Sequence, residues 1–394
     1  MLHDLIVVGT GPVGATLALC LVDGELDVVA LDARAPGTLG RGDRSLALSH
    51  GARLILERIG VWCAVAAGRD AVTPITVIDI SQRGGFGRTR LDAAEQGLPA
   101  LGYVVSYRAL QAALDAALSR AGVEVRYGAA VSEIRATPAY AAVGATRDGV
   151  EMEVAARLVA LADGSGDIAA GIARRRHDYG QVALVAKVWS GEPHRGVAFE
   201  RFTPQGPIAL LPEGDHYGLV WTTTPELGES LLALPEAEFI SALERRFGLA
   251  SSMPARTRPA PFERVADRRA FPLQLDYARS VTGERVALLG NAAQALHPVA
   301  GQGFNLGMRD AYELAQELLA TPRDAIGSRE RLAAYARRRR GDRVAGIAFT
   351  HGLLGVFGND AALLRWPRGL ALTMLDSLPE VKRAFTRAMS FGLH

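Results

Sequence analysis

A glycine-rich segment near the start of the chain, Gly9-Thr10-Gly11-Pro12-Val13-Gly14, has the spacing of a pyrophosphate-binding turn. It follows a strand-like apolar stretch and precedes a helical one. One glycine makes the tight turn, the next admits phosphate close to the backbone, and the third lets helix and strand pack. The helix start adds N–H donors and positive partial charge. We therefore predict that Gly9, Gly11, Pro12, Val13 and Gly14 bind a dinucleotide, and this motif alone does not separate FAD from NAD.

An acidic residue supports this interpretation. Asp32 ends the second predicted strand, where a carboxylate can accept hydrogen bonds from the adenosine ribose. The competing interpretation is a glycine-rich turn in an ordinary α/β protein. The strand, the turn, the helix and the acid together favour the cofactor site.

A second glycine-rich segment runs from Leu289 to Ala311, from a predicted buried strand through a loop into a helix. Small residues at Gly301, Gly303 and Gly307 let backbone amides approach a planar ligand. The start of the helix would stabilise negative charge, such as that of a reduced flavin. We therefore predict a flavin site here.

This second segment closely resembles the second flavin motif of the class A flavoprotein aromatic hydroxylases. The resemblance narrows to the ubiquinone-biosynthesis branch, because residues 44–49 (RSLALS) and 199–211 (FERFTPQGPIALL) are similar to that branch's motifs. It covers essentially the whole chain. It implies FAD as cofactor, with these cofactor-binding residues in the second segment: Gly290, Asn291, Gly301, Gln302, Gly303, Phe304 and Asn305.

One position departs from the usual family pattern. Most of these flavoproteins have Gly-Asp where this chain has Gly290-Asn291. The stretch from Gly290 to Gln294, followed by His297-Pro298, resembles the members that hydroxylate 2-polyprenyl-6-methoxyphenol. The amide oxygen of Asn291 can still accept a hydrogen bond from the ribityl chain.

Further FAD contacts are implied by the same resemblance. Asp163-Gly164 matches a family motif that touches the flavin pyrophosphate and the path of the reductant, although the family's usual continuation is absent after Ser165. Arg44 and Arg108 match arginines that contact the FAD phosphates or the ribityl chain, and a guanidinium fork suits phosphate oxygens.

Catalytic side chains are less well defined. The resemblance places Pro298 beside the reactive edge of the flavin, where a residue without N–H shapes the pocket. His297 titrates near neutral pH when unperturbed, but its apolar context favours a structural role. The sequence assigns no base that would ionise a phenol. Tyr217 and His216 are the candidates, with core or solvated roles favoured.

The resemblance implies a monooxygenase reaction. NAD(P)H would reduce FAD, O₂ would add at flavin C4a, and the resulting hydroperoxide would transfer one oxygen atom to the ring of a polyprenyl phenol in ubiquinone biosynthesis. Two alternatives stay open: a flavin-dependent dehydrogenase or reductase, and a non-catalytic flavoprotein scaffold of a quinone-biosynthesis assembly. Other quinone-biosynthesis proteins are therefore expected partners.

The predicted strands and helices that carry these residues indicate an α/β fold. Helical and strand-like patterns, together with the resemblance, indicate a Rossmann-like FAD-binding domain of the glutathione-reductase/p-hydroxybenzoate-hydroxylase type. A mixed antiparallel β-sheet substrate domain and a helical C-terminus complete it. The predicted boundaries are 1–72, 101–181 and 267–340 for the discontinuous FAD-binding domain, 73–100 and 182–266 for the substrate domain, and 341–394 for the C-terminal region.

Composition limits the remaining classes. The 394 residues carry a net charge of +2, which argues against a nucleic-acid partner. Cys20 and Cys63 are too isolated for a disulfide framework or a zinc site, so we predict no metal and a reducing, cytoplasmic location.

The apolar and basic C-terminal region, including Trp366, Leu370, Arg368 and Lys382, suggests peripheral contact with the inner face of a membrane. Packing of these helices on the flavin domain or on a partner is the alternative.

Overall fold

The computed structural model describes residues 1–38, 44–68, 71–84, 86–168, 171–249, 258–297, 301–357 and 362–393. In chain order the strands are Leu2–Val8 (β1), Val28–Asp32 (β2), Ser45–Ser49 (β3), Val72–Ile75 (β4), Val77–Gln82 (β5), Arg88–Asp92 (β6), Gly102–Ser106 (β7), Glu124–Tyr127 (β8), Ala130–Ala136 (β9), Ala141–Arg147 (β10), Val150–Leu161 (β11), Arg174–Ser190 (β12), Val197–Thr203 (β13), Gly206–Glu213 (β14), His216–Thr223 (β15), Phe262–Ala278 (β16), Thr282–Gly283 (β17), Val286–Leu288 (β18) and Gln294–Ala295 (β19).

The helices are Pro12–Cys20 (α1), His50–Arg58 (α2), Trp62–Ala66 (α3), Tyr107–Arg120 (α4), Pro225–Ala233 (α5), Glu236–Phe247 (α6), Gln302–Leu319 (α7), Arg329–Phe357 (α8), Ala362–Ser377 (α9) and Pro379–Phe391 (α10). The helices and strands predicted from periodicity at the start of the chain are confirmed. Strands β10 and β11 form a hairpin that turns at Asp148-Gly149.

The first sheet has a parallel centre in the order β18-β11-β1-β2-β8. Strands β1, β2 and β18 and the end of β11 are mostly apolar and buried, because residues of α1 and α7 and of strands β9 and β10 pack with them in one core. The carboxyl ends of parallel strands lie at one edge. Gly9, Asp32, Asp163 and Gly290 follow or end β1, β2, β11 and β18, so the fold brings the predicted motifs together there.

The second sheet has the order β19-β16-β12-β15-β14-β13-β5-β6 and is antiparallel except where β13 pairs with β5. Helices α5 and α6 cover one face, with Trp221, Leu210 and Phe239 in the shared core. The other face is turned toward β7 and the C-terminal helices. Strands β12 and β16 run well beyond the segment 182–266, and the predicted domain boundaries remain a prediction.

A small third sheet, β3-β7-β4, joins the two larger ones. Val104 of β7 packs with Ala198 of the second sheet, and Ala47 of β3 is paired directly with Val104. Ala47 in turn contacts α7 through a hydrogen bond to its carbonyl oxygen from Asn305. The third sheet therefore sets the distance between the start of α7 and the second sheet.

The C-terminal helices pack on the second sheet and on the segment that follows β6. Leu372 of α9 is buried against Phe202 of β13, and Lys382 of α10 forms ion pairs with Glu95 and Asp376. Arg368 and Lys382 are buried, which corrects the expectation that they lie in a lipid headgroup layer. Within the described ranges, every helix is too short or too polar to cross a membrane.

Candidate FAD site

The first glycine turn has the geometry that its sequence predicts. Gly9 has φ +91°, and a Cβ there would lie 2.7 Å from the carbonyl oxygen of Ala162. A Cβ on Gly14 would lie 1.9 Å from the carbonyl oxygen of Gly9, so glycine is required for helix and strand to pack. A Cβ on Gly11 would meet no protein atom within 4 Å, because Gly11 lines the open cleft described below. Space for a phosphate therefore adjoins the N-terminus of α1.

The Asp32 carboxylate holds this turn in place. It accepts hydrogen bonds from the backbone N–H of Thr10 at 2.7 Å and from the Thr10 hydroxyl. The Arg34 guanidinium lies 3.1 Å from it and also donates to the Thr10 carbonyl oxygen. Asp32 lines the cleft and is buried. Its predicted contact with the ribose stays a prediction, and Arg34 is a neighbour that the sequence did not single out.

The second glycine turn packs against the start of α1 on one side and against α7 on the other. Gly290 has φ +57°, and a Cβ there would lie 3.2 Å from the Val13 side chain. A Cβ on Gly307 would lie 2.9 Å from Cα of Gly290, so α7 approaches this turn closely. Asn291 follows Gly290 in a short 3₁₀ turn and lines the cleft. The two predicted motifs are therefore parts of one site.

The start of α7 is anchored by the Asn305 side chain. Gly301 is the N-cap residue, with φ +60°. The Asn305 amide accepts a hydrogen bond from the backbone N–H of Ser49 at 2.8 Å, and it donates to the carbonyl oxygens of Ala47 and Gly301. In this structure the polar atoms of Asn305 bond to backbone groups. Gln302 beside it is buried.

A cleft of about 420 Å³ lies where these elements meet. Predicted cofactor-binding residues that line it are Gly9, Gly11, Pro12, Val13, Asp32, Arg44, Asp163, Gly164, Gly290, Asn291, Gly303 and Phe304. Lining residues that the sequence did not single out include Arg34, Tyr107, Ala129, Ala130, Val131 and Ile168. Gly14, Arg108, Gly301, Gln302 and Asn305 are outside this lining.

The two predicted arginines differ in their surroundings. The Arg44 guanidinium lies 5.1 Å from the Tyr107 ring centroid, and both residues line the cleft. Arg108 is exposed in the first turn of α4. Asp163 bonds to its own turn, because it accepts from the backbone N–H groups of Ser165 and Gly166. The predicted FAD contacts of these three residues remain predictions.

The predicted catalytic residues are partly described. Pro298 lies outside the described residues. His297 is buried, with its ring 5.5 Å from the Tyr179 ring, and burial lowers the pKa of His297 to about 4. His297 is therefore neutral at physiological pH.

The two suggested phenol bases, Tyr217 and His216, make different contacts in the second sheet. Tyr217 is buried with Phe199 on the face of the second sheet that α6 covers, and burial raises the pKa of its hydroxyl. Its side chain thus points away from the FAD side. His216 begins β15 and pairs with Asp215 and Glu213. A role of either residue as the base stays a prediction.

The residues of the cleft suit FAD. Open space beside Gly11, the N-terminus of α1 and the Arg34 and Arg44 guanidinium groups are appropriate for a pyrophosphate. The turn at Gly290 lines the same cleft, so the residues predicted for the pyrophosphate and those predicted for the flavin belong to one site. Phe304 and Gly303 offer an apolar surface and close backbone approach at the start of α7.

Comparisons with known proteins agree with this assignment. A family model described as an FAD binding domain matches residues 3–347. The chain is 36% identical over 399 residues to the ubiquinone hydroxylase UbiL of Rhodospirillum rubrum, covering 98% of this chain and 88% of the relative. It is 29% identical over 410 residues to the 3-demethoxyubiquinol 3-hydroxylase of Escherichia coli, covering 99% and 98% of the two chains.

Solved structures share the fold. The p-nitrophenol 4-monooxygenase PnpA of Pseudomonas putida superposes with a TM-score of 0.75 at 19% identity, covering 100% of this chain and 99% of that one. PqsL of P. aeruginosa superposes with a TM-score of 0.74 at 21% identity, covering 94% and 100%. At these identities the comparison supports the architecture alone.

The chain belongs to the FAD-binding-domain family of flavoproteins. Within that family it is a class A hydroxylase of the ubiquinone-biosynthesis branch. It is an enzyme with FAD as cofactor. The fold and family expected from the sequence are confirmed.

Proposed function

We propose that this protein hydroxylates the aromatic ring of a polyprenylated phenol, with NAD(P)H as reductant and O₂ as the source of the oxygen atom. The observation that carries the proposal is whole-length similarity to a ubiquinone hydroxylase together with a cleft that joins both glycine motifs. The segment from Gly290 to Gln294 resembles that of members that hydroxylate 2-polyprenyl-6-methoxyphenol, and this resemblance favours such a phenol as substrate.

Bound FAD supplies the redox chemistry, because it accepts hydride from NAD(P)H and activates O₂. The protein holds FAD in position and shields the reacting ring from water. The N-terminus of α1 and Arg44 bind phosphate, and Asp32 binds ribose. The N-terminus of α7 stabilises negative charge on the flavin ring. The second sheet faces this region across the third sheet and keeps water from the reacting ring.

A deletion strain tests the proposed function. Loss of a ring hydroxylase should stop ubiquinone synthesis and cause a polyprenylated phenol with one fewer ring oxygen to accumulate, identified by mass spectrometry. Expression of the intact chain should remove that compound, and a Gly11→Val chain should not. Normal ubiquinone in the deletion strain, with no accumulated phenol, would contradict the proposal unless a second hydroxylase is present, which a double deletion settles.

We also propose that the protein acts at the inner, cytoplasmic surface of a membrane, where a polyprenylated substrate is held. Trp366, Leu370 and Met374 lie four residues apart on α9, and all three are at least half exposed. The Trp366 ring contacts Phe86, whose centroid is 5.1 Å away. Residues at this spacing form one apolar stripe, which suits an interfacial helix.

Liposome flotation tests the membrane proposal. A Trp366→Ser/Leu370→Ser protein should float several-fold less than wild type with anionic vesicles. Leu54→Ser, which changes an exposed leucine on α2, is the matched control and should float like wild type. Equal flotation of all three proteins contradicts the proposal. Binding to another quinone-biosynthesis protein through the same stripe would then be the alternative.

A further inference from the structure

Glu200 lies in the middle of β13 on the face of the second sheet opposite α5 and α6. Side chains alternate along a strand, so Ala198 and Phe202 share its face. Ala198 packs against Val104 of β7, and Phe202 packs against Leu372 of α9. Glu200 therefore points into the region between the third sheet and the C-terminal helices.

That region adjoins the start of α7, where the flavin ring is expected. Gly301 caps α7, and a Cβ there would lie 3.2 Å from Cβ of Ala47. Ala47 pairs with Val104, and Val104 packs with Ala198, two residues from Glu200 on the same strand face. One pair of strands thus separates the flavin end of the FAD site from the wall that carries Glu200.

The wall around Glu200 is apolar. Ile80 and Ala209 are its partners on the neighbouring strands, and Val220 and Val185 continue the same row across the sheet. All four are partly accessible. A partly accessible apolar row in the interior is suited to an aromatic ligand.

The Glu200 carboxyl has no internal partner in the part of the chain that the structure describes. No hydrogen bond or ion pair joins it to another described residue, and the side chains beside it in the row are uncharged. Glu200 is partly accessible, as its neighbours in the row are, and its partial burial raises its pKa to about 7 with no charged neighbour contributing to that rise. An unpaired carboxyl in an apolar wall is costly, and a hydroxyl donor would satisfy it.

We propose that Glu200 is the base that binds the phenolic hydroxyl group of the substrate and accepts its proton. This inference rests on the proposed function. The phenol O–H bond breaks, the proton moves to a carboxylate oxygen of Glu200, and the bonding electrons stay on the phenolate oxygen. A phenolate is the more electron-rich ring and reacts more readily with an electrophilic oxygen. Because a free phenol has a pKa of about 10, the transfer is completed as the ring reacts.

Flavin-loaded Glu200→Gln protein tests the inference. The probe is a phenol with a single prenyl unit, assayed for hydroxylated product between about pH 6 and pH 9. We expect hydroxylation to fall about 100-fold, because a positioned base contributes at least that factor. The wild-type rate should rise with pH around pH 7, and the variant should lose that rise. Glu200→Asp should keep part of the activity and the rise.

A ring-fluorinated form of the same phenol adds a second measurement. It ionises more easily, so the loss caused by Glu200→Gln should be smaller with it. The absorption spectrum of the fluorinated phenol should shift toward that of its phenolate when it binds to oxidised wild-type protein. The spectrum should not shift when it binds to Glu200→Gln. This spectrum requires no turnover, and reduction of the flavin by NADPH should be the same in both proteins.

Glu192→Gln is the matched control, because its side chain is 70% exposed in the turn before β13. It should behave like wild type. If Glu200→Gln hydroxylates within about threefold of wild type with the same pH profile, the inference is wrong and the proposed function stands. If flavin-loaded wild type is reduced by NADPH but hydroxylates neither phenol, both are wrong.

Discussion

The buried carboxylate of Asp310 links α7 to the second glycine turn and pairs with Arg339 of α8. One oxygen accepts the backbone N–H of Gly290 at 3.1 Å, and the other lies 2.8 Å from Nε of Arg339. The Gln294 amide donates to the same carboxylate at 2.7 Å. Asn291 is the next residue after Gly290, so this buried ion pair positions one wall of the FAD cleft.

Breaking the pair should weaken both the fold and the site. Asp310→Asn leaves Arg339 without one carboxylate partner, and loss of one member of a buried pair costs about 3 to 5 kcal/mol. We expect a lower free energy of unfolding in urea and weaker FAD binding. Asp324→Asn, which alters an exposed carboxylate after α7, should change neither. Wild-type stability of Asp310→Asn would contradict this role.

Gly11→Val should remove FAD without unfolding the protein. A side chain at Gly11 meets no protein atom within 4 Å, so the fold can accept it, but it would occupy phosphate space. Flavin absorbance of the purified variant should be close to zero, with normal far-UV circular dichroism. Gly341→Val is the matched control, because that glycine also has open space and lies in α8. A folded Gly11→Val protein with full flavin content would refute the assignment of the pyrophosphate site.

Asn291→Asp should keep the flavin. If the Asn291 side chain only accepts a hydrogen bond from the ribityl chain, a carboxylate of the same shape can replace it. Hydroxylation should stay within about tenfold of wild type, equivalent to about 1.4 kcal/mol or less. Complete loss of hydroxylation with FAD still bound would show instead that the neutral side chain matters to the chemistry.

The raised pKa of Glu200 has a consequence for stability. The unfolded carboxyl loses its proton near pH 4.5, whereas the folded one keeps it to about pH 7. The folded state therefore binds more protons in this window, and stability falls as pH rises through it. Glu200→Gln should be more stable than wild type above pH 7, by at most about 3 kcal/mol, and equal to it near pH 4. Thermal unfolding at both pH values measures this difference, and a constant difference would contradict it.

The parts of the site that could be predicted are those whose geometry depends only on residues close together in the sequence. The turn from Gly9 to Gly14 has strict steric requirements within a few residues, and Asp32 ends the next strand. Both are therefore visible in a single sequence. The same holds for Gly290 and Gly301, whose positive φ angles are required by turns that precede α7.

The parts that could not be predicted depend on contacts between distant segments. The basic run from Arg337 to Arg340 has the pattern of an exposed helix face, yet Arg339 is buried because Asp310 and Asp342 lie beside it. Glu200 stands in a strand pattern like any other polar position. Its apolar surroundings come from β5 and β14, which periodicity does not pair.

The most direct test of the proposed reaction is incorporation of labelled oxygen. Purified, FAD-loaded protein is supplied with NADPH, a monoprenylated phenol and ¹⁸O₂ in unlabelled water, and the product is examined by mass spectrometry. The account predicts one ¹⁸O atom in the new ring hydroxyl group and one NADPH oxidised for each product molecule. A product that contains no ¹⁸O, or NADPH oxidation that yields only hydrogen peroxide with each phenol tested, would contradict it.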